Sequence, residues 1–224
     1  MTTLPHDEIG SPEGLPEVGD RYEEHGRWVE VYARAELPTR YGRFDIFVFR
    51  TSTDDMEHVV LTRGQLDGAT GVPVRLHSEC LTGDVLASLR CDCRDQLEAA
   101  QETIGAEPVG ALLYMRQEGR GIGLGNKIRA YTLQQQNGLD TVEANEHLGF
   151  DDDLRDYSTA ALMLKMFAPE SIRLVTNNPR KLFALRQQGI EVTTREPLVV
   201  VPNPHNADYL RTKVVKSGHL IPTE

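Results

Sequence analysis

The chain has 224 residues, and 24 Lys and Arg against 34 Asp and Glu give it a formal net charge of −10. This balance disfavours broad binding to DNA or RNA, because phosphate contacts need clustered cations, but it leaves room for a nucleotide in a locally basic pocket. The longest aliphatic runs are far shorter than the roughly 20 residues that span a bilayer. With an acidic N-terminus that lacks a secretory pattern, the sequence predicts a cytoplasmic protein without a membrane partner.

The first 28 residues are the most acidic part of the chain, with seven acids against two arginines and several prolines and glycines. This composition predicts a flexible acidic leader over residues 1–28 and one folded domain over residues 29–224. Predicted strands follow at 44–49, 58–61, 72–77, 109–115, 172–176, 190–193 and 198–201. Predicted helices, one of them long or broken, occupy 84–104, 126–136, 157–167, 179–188 and 206–216. Their alternation in the second half predicts an α/β fold, a mixed sheet with flanking helices.

The three cysteines form one cluster, Cys80-x10-Cys91-x-Cys93. Zinc prefers thiolate ligands, and a catalytic zinc usually has three protein ligands and an open position. One alternative is a closed structural site with His77 or another residue as fourth ligand, and the other is three small hydrophobic side chains that are simply buried. The lack of a fourth cysteine favours a catalytic metal, beside which Glu79 or His77 could handle protons.

Two segments have the character of anion-binding loops. Glycines at every second position from 119 to 125 predict a concavity of backbone N–H groups before a helix, with four cations nearby: Arg116, Arg120, Lys127 and Arg129. In the second segment, Asn178 is a predicted N-cap, and Arg180 and Lys181 in the first helical turn oppose the helix dipole unless an anion binds. A flexible surface turn and solvent-facing side chains are the respective alternatives.

An acidic run before the third predicted helix contains one arginine. Acids are favourable at a helix N-terminus, which accounts for most of residues 150–157. Arg155, between Asp153 and Asp156, is a candidate for clamping phosphate oxygens.

Five motifs together resemble the GTP cyclohydrolase II family, over about residues 36–220. They are RLHSECLTGD (75–84), LRCDC (89–93), RQEGRGIGL (116–124), TVEAN (141–145) and TNNP (176–179). The resemblance implies that family's α/β fold and the first step of riboflavin biosynthesis. In this step the imidazole ring of GTP is opened hydrolytically, formate and pyrophosphate are released, and 2,5-diamino-6-ribosylamino-4(3H)-pyrimidinone 5′-phosphate is formed. It also implies Mg²⁺ with the triphosphate and a homodimer.

The same resemblance assigns the site residues. It implies zinc ligation by Cys80, Cys91 and Cys93, and GTP binding by Arg75, Leu76, His77, Ser78, Glu79, Gln96, Glu118, Gly119, Arg120, Thr141, Thr176 and Lys181. It assigns Asp153 as proton acceptor, Arg155 as nucleophile on the α-phosphorus, and Tyr131 beside the guanine. Because a guanidinium stays protonated and has no free lone pair, electrostatic stabilisation is the easier role for Arg155. Arg94 stands where the family commonly has glycine, and we expect it to add positive charge near the metal.

Two other functions fit parts of this pattern. A paralogue on the same scaffold would stop after ring opening, retain the formyl group and release a formamidopyrimidine nucleotide. The resemblance implies that an aromatic residue such as Tyr131 helps the second hydrolysis, which favours complete deformylation. The second alternative is a zinc-stabilised nucleotide sensor without turnover, in which Asp153 and Arg155 would have no catalytic role.

Overall fold

The computed structural model describes residues 14–220. Its strands are β1 (Arg21–Glu24), β2 (Arg27–Thr39), β3 (Gly42–Thr51), β4 (His58–Arg63), β5 (Val72–Ser78), β6 (Gly110–Met115), β7 (Ile172–Val175) and β8 (Val192–Glu196). Its α-helices are α1 (Cys93–Ala106), α2 (Gly123–Asn137), α3 (Thr141–His147), α4 (Ser158–Met166), α5 (Pro179–Gln187) and α6 (Ala207–Val215). In this part of the chain no helix is long and apolar enough to cross a membrane.

The eight strands form one mixed sheet in the order β1-β2-β3-β4-β6-β5-β7-β8, which confirms the predicted fold class. Strands β1 to β4 and β6 pair antiparallel, whereas β6, β5, β7 and β8 pair parallel. In the parallel half, the carboxyl ends of β5, β6 and β7 share one edge of the sheet. Loops that follow such strand ends are the usual place of a ligand site in α/β proteins.

The sheet has a hydrophobic cluster on each face because side chains alternate along its strands. On β3, Phe47 and Phe49 belong to the larger cluster, with helix α4, and Phe44 to the smaller one, with α1. Phe167, directly after α4, packs edge-on against Phe47 with ring centroids 5.0 Å apart. Leu113 of β6 belongs to the larger cluster. Helices thus cover both faces of the sheet and leave the strand ends open to the site.

The folded part begins earlier than the sequence predicted. Strand β1 pairs with β2 from Arg21↔Glu30 to Glu24↔Arg27, and Leu15 is buried in the larger cluster. The prediction of a flexible leader up to residue 28 is therefore wrong for residues 14–28, and residues 1–13 lie outside the described part. A four-residue edge strand of mostly charged side chains has no apolar alternation by which to recognise it.

Strand β2 was not among the predicted strands, and three further elements differ from their predictions. The predicted helix at 84–104 is a π-helical turn, Leu81–Val85, then a loop, then α1. Residues 198–201, predicted as a strand, have no regular structure, since Val199 and Val201 are exposed and only Leu198 packs inward. Helix α3 was not predicted; Asp140 caps it, accepting hydrogen bonds from the backbone N–H groups of Val142 and Glu143.

Candidate active site

A cavity of about 630 Å³ lies at the carboxyl ends of β5, β6 and β7. The predicted site residues that line it are Arg75, His77, Ser78, Glu79, Cys80, Cys91, Cys93, Gln96, Glu118, Gly119, Arg120, Tyr131, Thr141, Arg155, Thr176 and Lys181. Leu76 and Asp153 do not line it. Leu76 is fully buried in β5, and only its carbonyl oxygen takes part, as the acceptor for Lys181. Segments far apart in the sequence thus meet in one cavity.

The three thiols are close enough to share one metal ion. The Sγ atoms of Cys80, Cys91 and Cys93 all lie within 4.8 Å of one another, and Cys80 Sγ is 3.8 Å from Cys91 Sγ. Tetrahedral zinc with bonds of about 2.3 Å places two sulfurs roughly 3.8 Å apart, so the donor set fits zinc. In residues 14–220 the group includes no fourth His, Cys, Asp or Glu.

Asp84 fixes the position of Cys80. One of its carboxylate oxygens accepts hydrogen bonds from the Cys80 backbone N–H at 3.0 Å and from the Tyr114 hydroxyl at 2.8 Å. His77 Nε2 lies 3.1 Å from the same carboxylate, and burial lowers the pKa of His77, which favours the neutral imidazole. Asp84 thus engages His77, and because no His77 atom belongs to the group of possible metal ligands, the alternative of His77 as fourth ligand is wrong.

Gly83 allows the three thiols to converge, a requirement that the sequence did not reveal. A Cβ atom at this position would lie 2.8 Å from Cys91 Sγ, 2.9 Å from Cys93 Cβ and 3.2 Å from Cys80 Sγ. These separations are shorter than the 3.5–4.0 Å or so at which non-bonded atoms pack. The residue type that fits inside the π-helical turn is therefore glycine.

Lys127 of α2 faces the thiols. Its Nζ lies 3.1 Å from Cys80 Sγ and 2.7 Å from Glu118 Oε1, while Glu118 Oε2 accepts a hydrogen bond from the Leu81 backbone N–H at 2.7 Å. Hydrogen bonds from the Cys91 and Cys93 thiols, together with Lys127, lower the pKa of Cys80. The hydrogen bond to Cys80 raises the pKa of Cys91 to about 11. One thiolate is thus stabilised by the protein's own groups.

Arg75 and Lys181 are buried cations without a carboxylate partner. Arg75 donates to the Val175 carbonyl at 3.0 Å and to Gln96 Oε1 at 2.7 Å, and Lys181 Nζ donates to the Leu76 carbonyl at 2.7 Å. Within the described residues, neither has an acid within 4.0 Å. Burial lowers the pKa of Arg75 to about 10, and burial and neighbouring cations lower that of Lys181 well below its usual range. Buried charge without a counter-ion is costly, which indicates an anionic ligand.

Arg155 enters the cavity with Asp153 behind it. Its Nε donates to Asp153 Oδ1 at 2.7 Å, a second guanidinium nitrogen donates to Oδ2, and Nη1 lies 3.4 Å from Ser78 Oγ. Burial opposes the charge on Arg155, but the Asp153 carboxylate outweighs it and raises the pKa of Arg155. The Arg155 guanidinium likewise outweighs burial and lowers the pKa of Asp153. Both groups are therefore ionised at neutral pH.

The glycine-rich loop differs from its prediction. The Gly119 backbone N–H donates to Glu118 Oε1 at 2.7 Å, so an internal acid already occupies this amide. Arg120 lines the cavity, where its Nη1 lies 3.3 Å from Ser217 Oγ and pairs with Asp152. Of the four cations predicted near the glycines, Arg116 pairs with Glu79 and Arg129 is exposed, and neither of these two lines the cavity.

Tyr131 and Thr176 are placed by different contacts. The Tyr131 hydroxyl lies 3.5 Å from Thr82 Oγ1, and the Arg90 guanidinium lies 4.6 Å from the Tyr131 ring centroid. Thr176 Oγ1 accepts the backbone N–H of Asn178 at 3.0 Å, which shapes the turn into α5. Lining residues that were not among the predicted site residues include Arg90, Gln134, Asn145 and several side chains of α6.

Arg94 does not reach the cavity. Its Nε lies 2.9 Å from Glu98 Oε1, one turn along α1. The side chain of Arg94 is 42% exposed and that of Glu98 is 40% exposed. Exposed pairs of this spacing contribute a few tenths of a kcal/mol and are screened by salt. We therefore expect Arg94 to have little effect on the thiols.

The chain is similar to known proteins over most of its length. The family model described as GTP cyclohydrolase II matches residues 30–197. "GTP cyclohydrolase-2" of Picrophilus torridus is 53% identical over 192 residues, which are 86% of this chain and 99% of the relative. "GTP cyclohydrolase-2" of Azotobacter vinelandii is 57% identical over 86% of this chain and 92% of the relative. "Riboflavin biosynthesis protein RibBA" of Synechocystis is 48% identical over 88% of this chain but only 35% of its own length.

Proposed function

Because the chain belongs to the GTP cyclohydrolase II family, we propose that it opens the imidazole ring of GTP by hydrolysis and releases formate and pyrophosphate. The product would be 2,5-diamino-6-ribosylamino-4(3H)-pyrimidinone 5′-phosphate, and the reaction the first step of riboflavin biosynthesis. One observation carries the proposal beyond family membership. The three thiols and the unpaired cations Arg75 and Lys181 line the same cavity, which suits a ligand with a reactive ring and an anionic tail.

Cys80, Cys91 and Cys93 would hold zinc, as their spacing and the space kept by Gly83 allow. Zinc bound by three protein ligands supplies Lewis-acid activation of water. Lys127 beside Cys80 would offset part of the negative charge of the thiolates. The guanine would then lie against this end of the cavity, beside Tyr131.

The triphosphate would lie against Arg120, Arg155 and Lys181, which enter the cavity from three different segments of the chain. Phosphoryl transfer asks a protein mainly for positioning and for charge stabilisation. We assign Arg155 to charge stabilisation and Asp153 to holding it, because the pair keeps the guanidinium protonated.

Mg²⁺ would enter with the nucleotide, coordinated mainly by its phosphates. Few carboxylates of the cavity are free to bind it: Glu79 pairs with Arg116, Glu118 with Lys127, and Asp140 with Lys216. Removal of Mg²⁺ is therefore expected to weaken GTP binding without releasing zinc.

The decisive experiment is incubation of purified, zinc-loaded protein with GTP and Mg²⁺, followed by assays for formate and pyrophosphate. The proposal predicts one formate and one pyrophosphate for each GTP. Pyrophosphate without formate would instead support the formyl-retaining paralogue, and GTP binding without either product would support a sensor. Tyr131→Phe is a useful variant here, since loss of formate alone would place Tyr131 in the second hydrolysis.

We also propose a homodimer in the cytoplasm. Val85, Leu86 and Leu89, beside the thiols, are 63%, 65% and 58% exposed, an apolar surface that a second copy could cover. Three thiols grouped as metal ligands suit a reducing compartment. Sedimentation of the wild type and of a Leu86→Ser, Leu89→Ser variant tests the dimer.

A further inference from the structure

The C-terminal segment, residues 205–219, forms one wall of the cavity. It begins just before α6 and contributes seven lining residues, His205, Asp208, Tyr209, Arg211, Thr212, Lys213 and His219. The family model ends at residue 197, so this wall lies outside the matched region. Nothing in the motifs of the sequence pointed to these side chains as part of the site.

Contacts with distant parts of the chain hold this segment in place. Lys213 Nζ lies 2.6 Å from Asp92 Oδ1, and Asp92 stands between two of the thiols. The side chain of Lys213 is 10% exposed and that of Asp92 is 3% exposed, so the ion pair is buried. Beyond α6, Ser217 contacts Arg120, and the Leu220 backbone N–H donates to the Asn177 carbonyl at 2.8 Å. The segment is therefore held by contacts with residues 91–93, with the glycine-rich loop and with the loop after β7.

His219 lies at the cationic end of the cavity. Its Nδ1 is buried and has no hydrogen-bond partner in the described residues. The pKa of His219 is lowered to about 3, mainly by burial. Four neighbouring cations add to this effect: Lys213, Arg120, Arg155 and Lys181. The imidazole is therefore neutral at neutral pH, with one N–H to donate. It faces the same space as the cations to which we assign the phosphates.

We propose that His219 is a substrate-binding residue that donates a hydrogen bond to a phosphate oxygen of the nucleotide. Lys213 acts as a positioning residue, because its ion pair with Asp92 fixes the C-terminal segment against residues 91–93. The inference rests on the proposed function for the identity of the ligand. A phosphate oxygen is the fitting partner, since it accepts a hydrogen bond and brings negative charge to the neighbouring Lys181, which among the described residues donates only to the Leu76 carbonyl.

The experiment compares two ligands in four proteins. The proteins are wild type, His219→Ala, His219→Gln and His147→Ala, the last a control because His147 is exposed on α3 and does not line the cavity. The ligands are a GTP analogue with a methylene group between the α- and β-phosphates, and guanosine. Dissociation constants are measured by calorimetry on zinc-loaded protein with Mg²⁺, and thermal unfolding verifies that each variant is folded.

We expect His219→Ala to bind the analogue about tenfold more weakly, the usual effect of losing a hydrogen bond to a charged group. Guanosine binding should change less than twofold, His219→Gln should lose less because its amide still donates, and the control should match wild type. Equal weakening for both ligands, or unchanged analogue binding, would overturn the proposal. If His219→Ala does not fold, His219→Phe, which keeps a ring but has no donor, takes its place in the same comparison.

The two proposals fail in different ways. Binding of the analogue requires no turnover, so a wild type that releases no formate would refute the proposed reaction and still allow the His219 comparison. A wild type that binds neither ligand would refute both.

Discussion

Arg155, which lines the cavity, donates hydrogen bonds to both carboxylate oxygens of Asp153, which lies behind it. In this arrangement Asp153 is an acceptor already in use, and Arg155 is a cation whose pKa is raised. A guanidinium in this state has no lone pair to attack phosphorus. The relationship therefore favours charge stabilisation over the nucleophilic role that the family resemblance implies.

We predict that no covalent nucleotide adduct forms on Arg155 during turnover. Rapid quenching under mildly alkaline conditions, which preserve a phosphoramidate, followed by peptide mass spectrometry tests this. Arg155→Lys treated in the same way gives the background. A guanylyl adduct on Arg155 that appears and decays with turnover would establish the nucleophilic role instead.

Gly83→Ala is expected to remove the metal without unfolding the protein. The new Cβ would lie 2.8 Å from Cys91 Sγ, so the sulfurs must separate. We expect less than stoichiometric zinc by atomic absorption, with formate release reduced at least tenfold. Gly125→Ala is the matched control, because Gly125 lies in α2 with nothing near its Cβ position. It should keep its zinc and gain about 0.5–1 kcal/mol of stability from helix propensity. Full zinc occupancy in Gly83→Ala would show that the thiols do not need the space that glycine leaves.

The fold was largely predictable because its buried strands are rich in apolar residues. Residues 109–115 are a continuous apolar run and became β6, and residues 72–77, in which Arg75 and His77 are the polar members, became β5 beside it. Strands β1 and β2 and helix α3 were missed; β1 and α3 are defined by tertiary contacts and capping rather than by periodicity. The strand predicted at 198–201 was wrong because an apolar run alone does not show whether backbone partners exist.

The candidate site, too, was predictable from the sequence only in part. The thiols were predictable because three cysteines so close together in a chain with no further cysteine are typical of a metal site. The pairing of cations and acids was not, since Arg116 and Arg120 lie in the same loop yet pair with Glu79 and Asp152. The C-terminal segment was missed because its place in the cavity depends on the buried contact of Lys213 with Asp92, 121 residues away.

His58 should make the stability of the protein fall below about pH 6.5. Its Nδ1 accepts the Arg116 backbone N–H at 3.1 Å, which a protonated imidazole cannot do, and Nε2 lies 3.2 Å from Asp54. Burial lowers the pKa of His58, although Asp54 opposes this. The unfolded state, with a pKa of about 6.5, therefore binds the proton first as the pH falls. The stability from this residue is complete above about pH 6.5 and declines below it by up to about 1.4 kcal/mol per pH unit.

Urea unfolding at pH 7.5, 6.5 and 5.5 measures this dependence. The free energy of unfolding should fall less steeply with decreasing pH in His58→Gln, by an amount that corresponds to about one bound proton. His147→Gln, at an exposed position, should keep the slope of the wild type. The effect lies above the range in which ordinary carboxylates titrate. Equal slopes in wild type and His58→Gln would show that His58 titrates normally in the folded protein.

A crystal structure of the zinc-loaded protein with the methylene analogue of GTP would test the proposed site as a whole. We predict zinc on Cys80, Cys91 and Cys93 with no fourth protein ligand, and the guanine facing the open position. The phosphates should lie against Arg120, Arg155 and Lys181. A fourth side chain on the metal, or a nucleotide bound away from the thiols, would refute the site proposed for this protein.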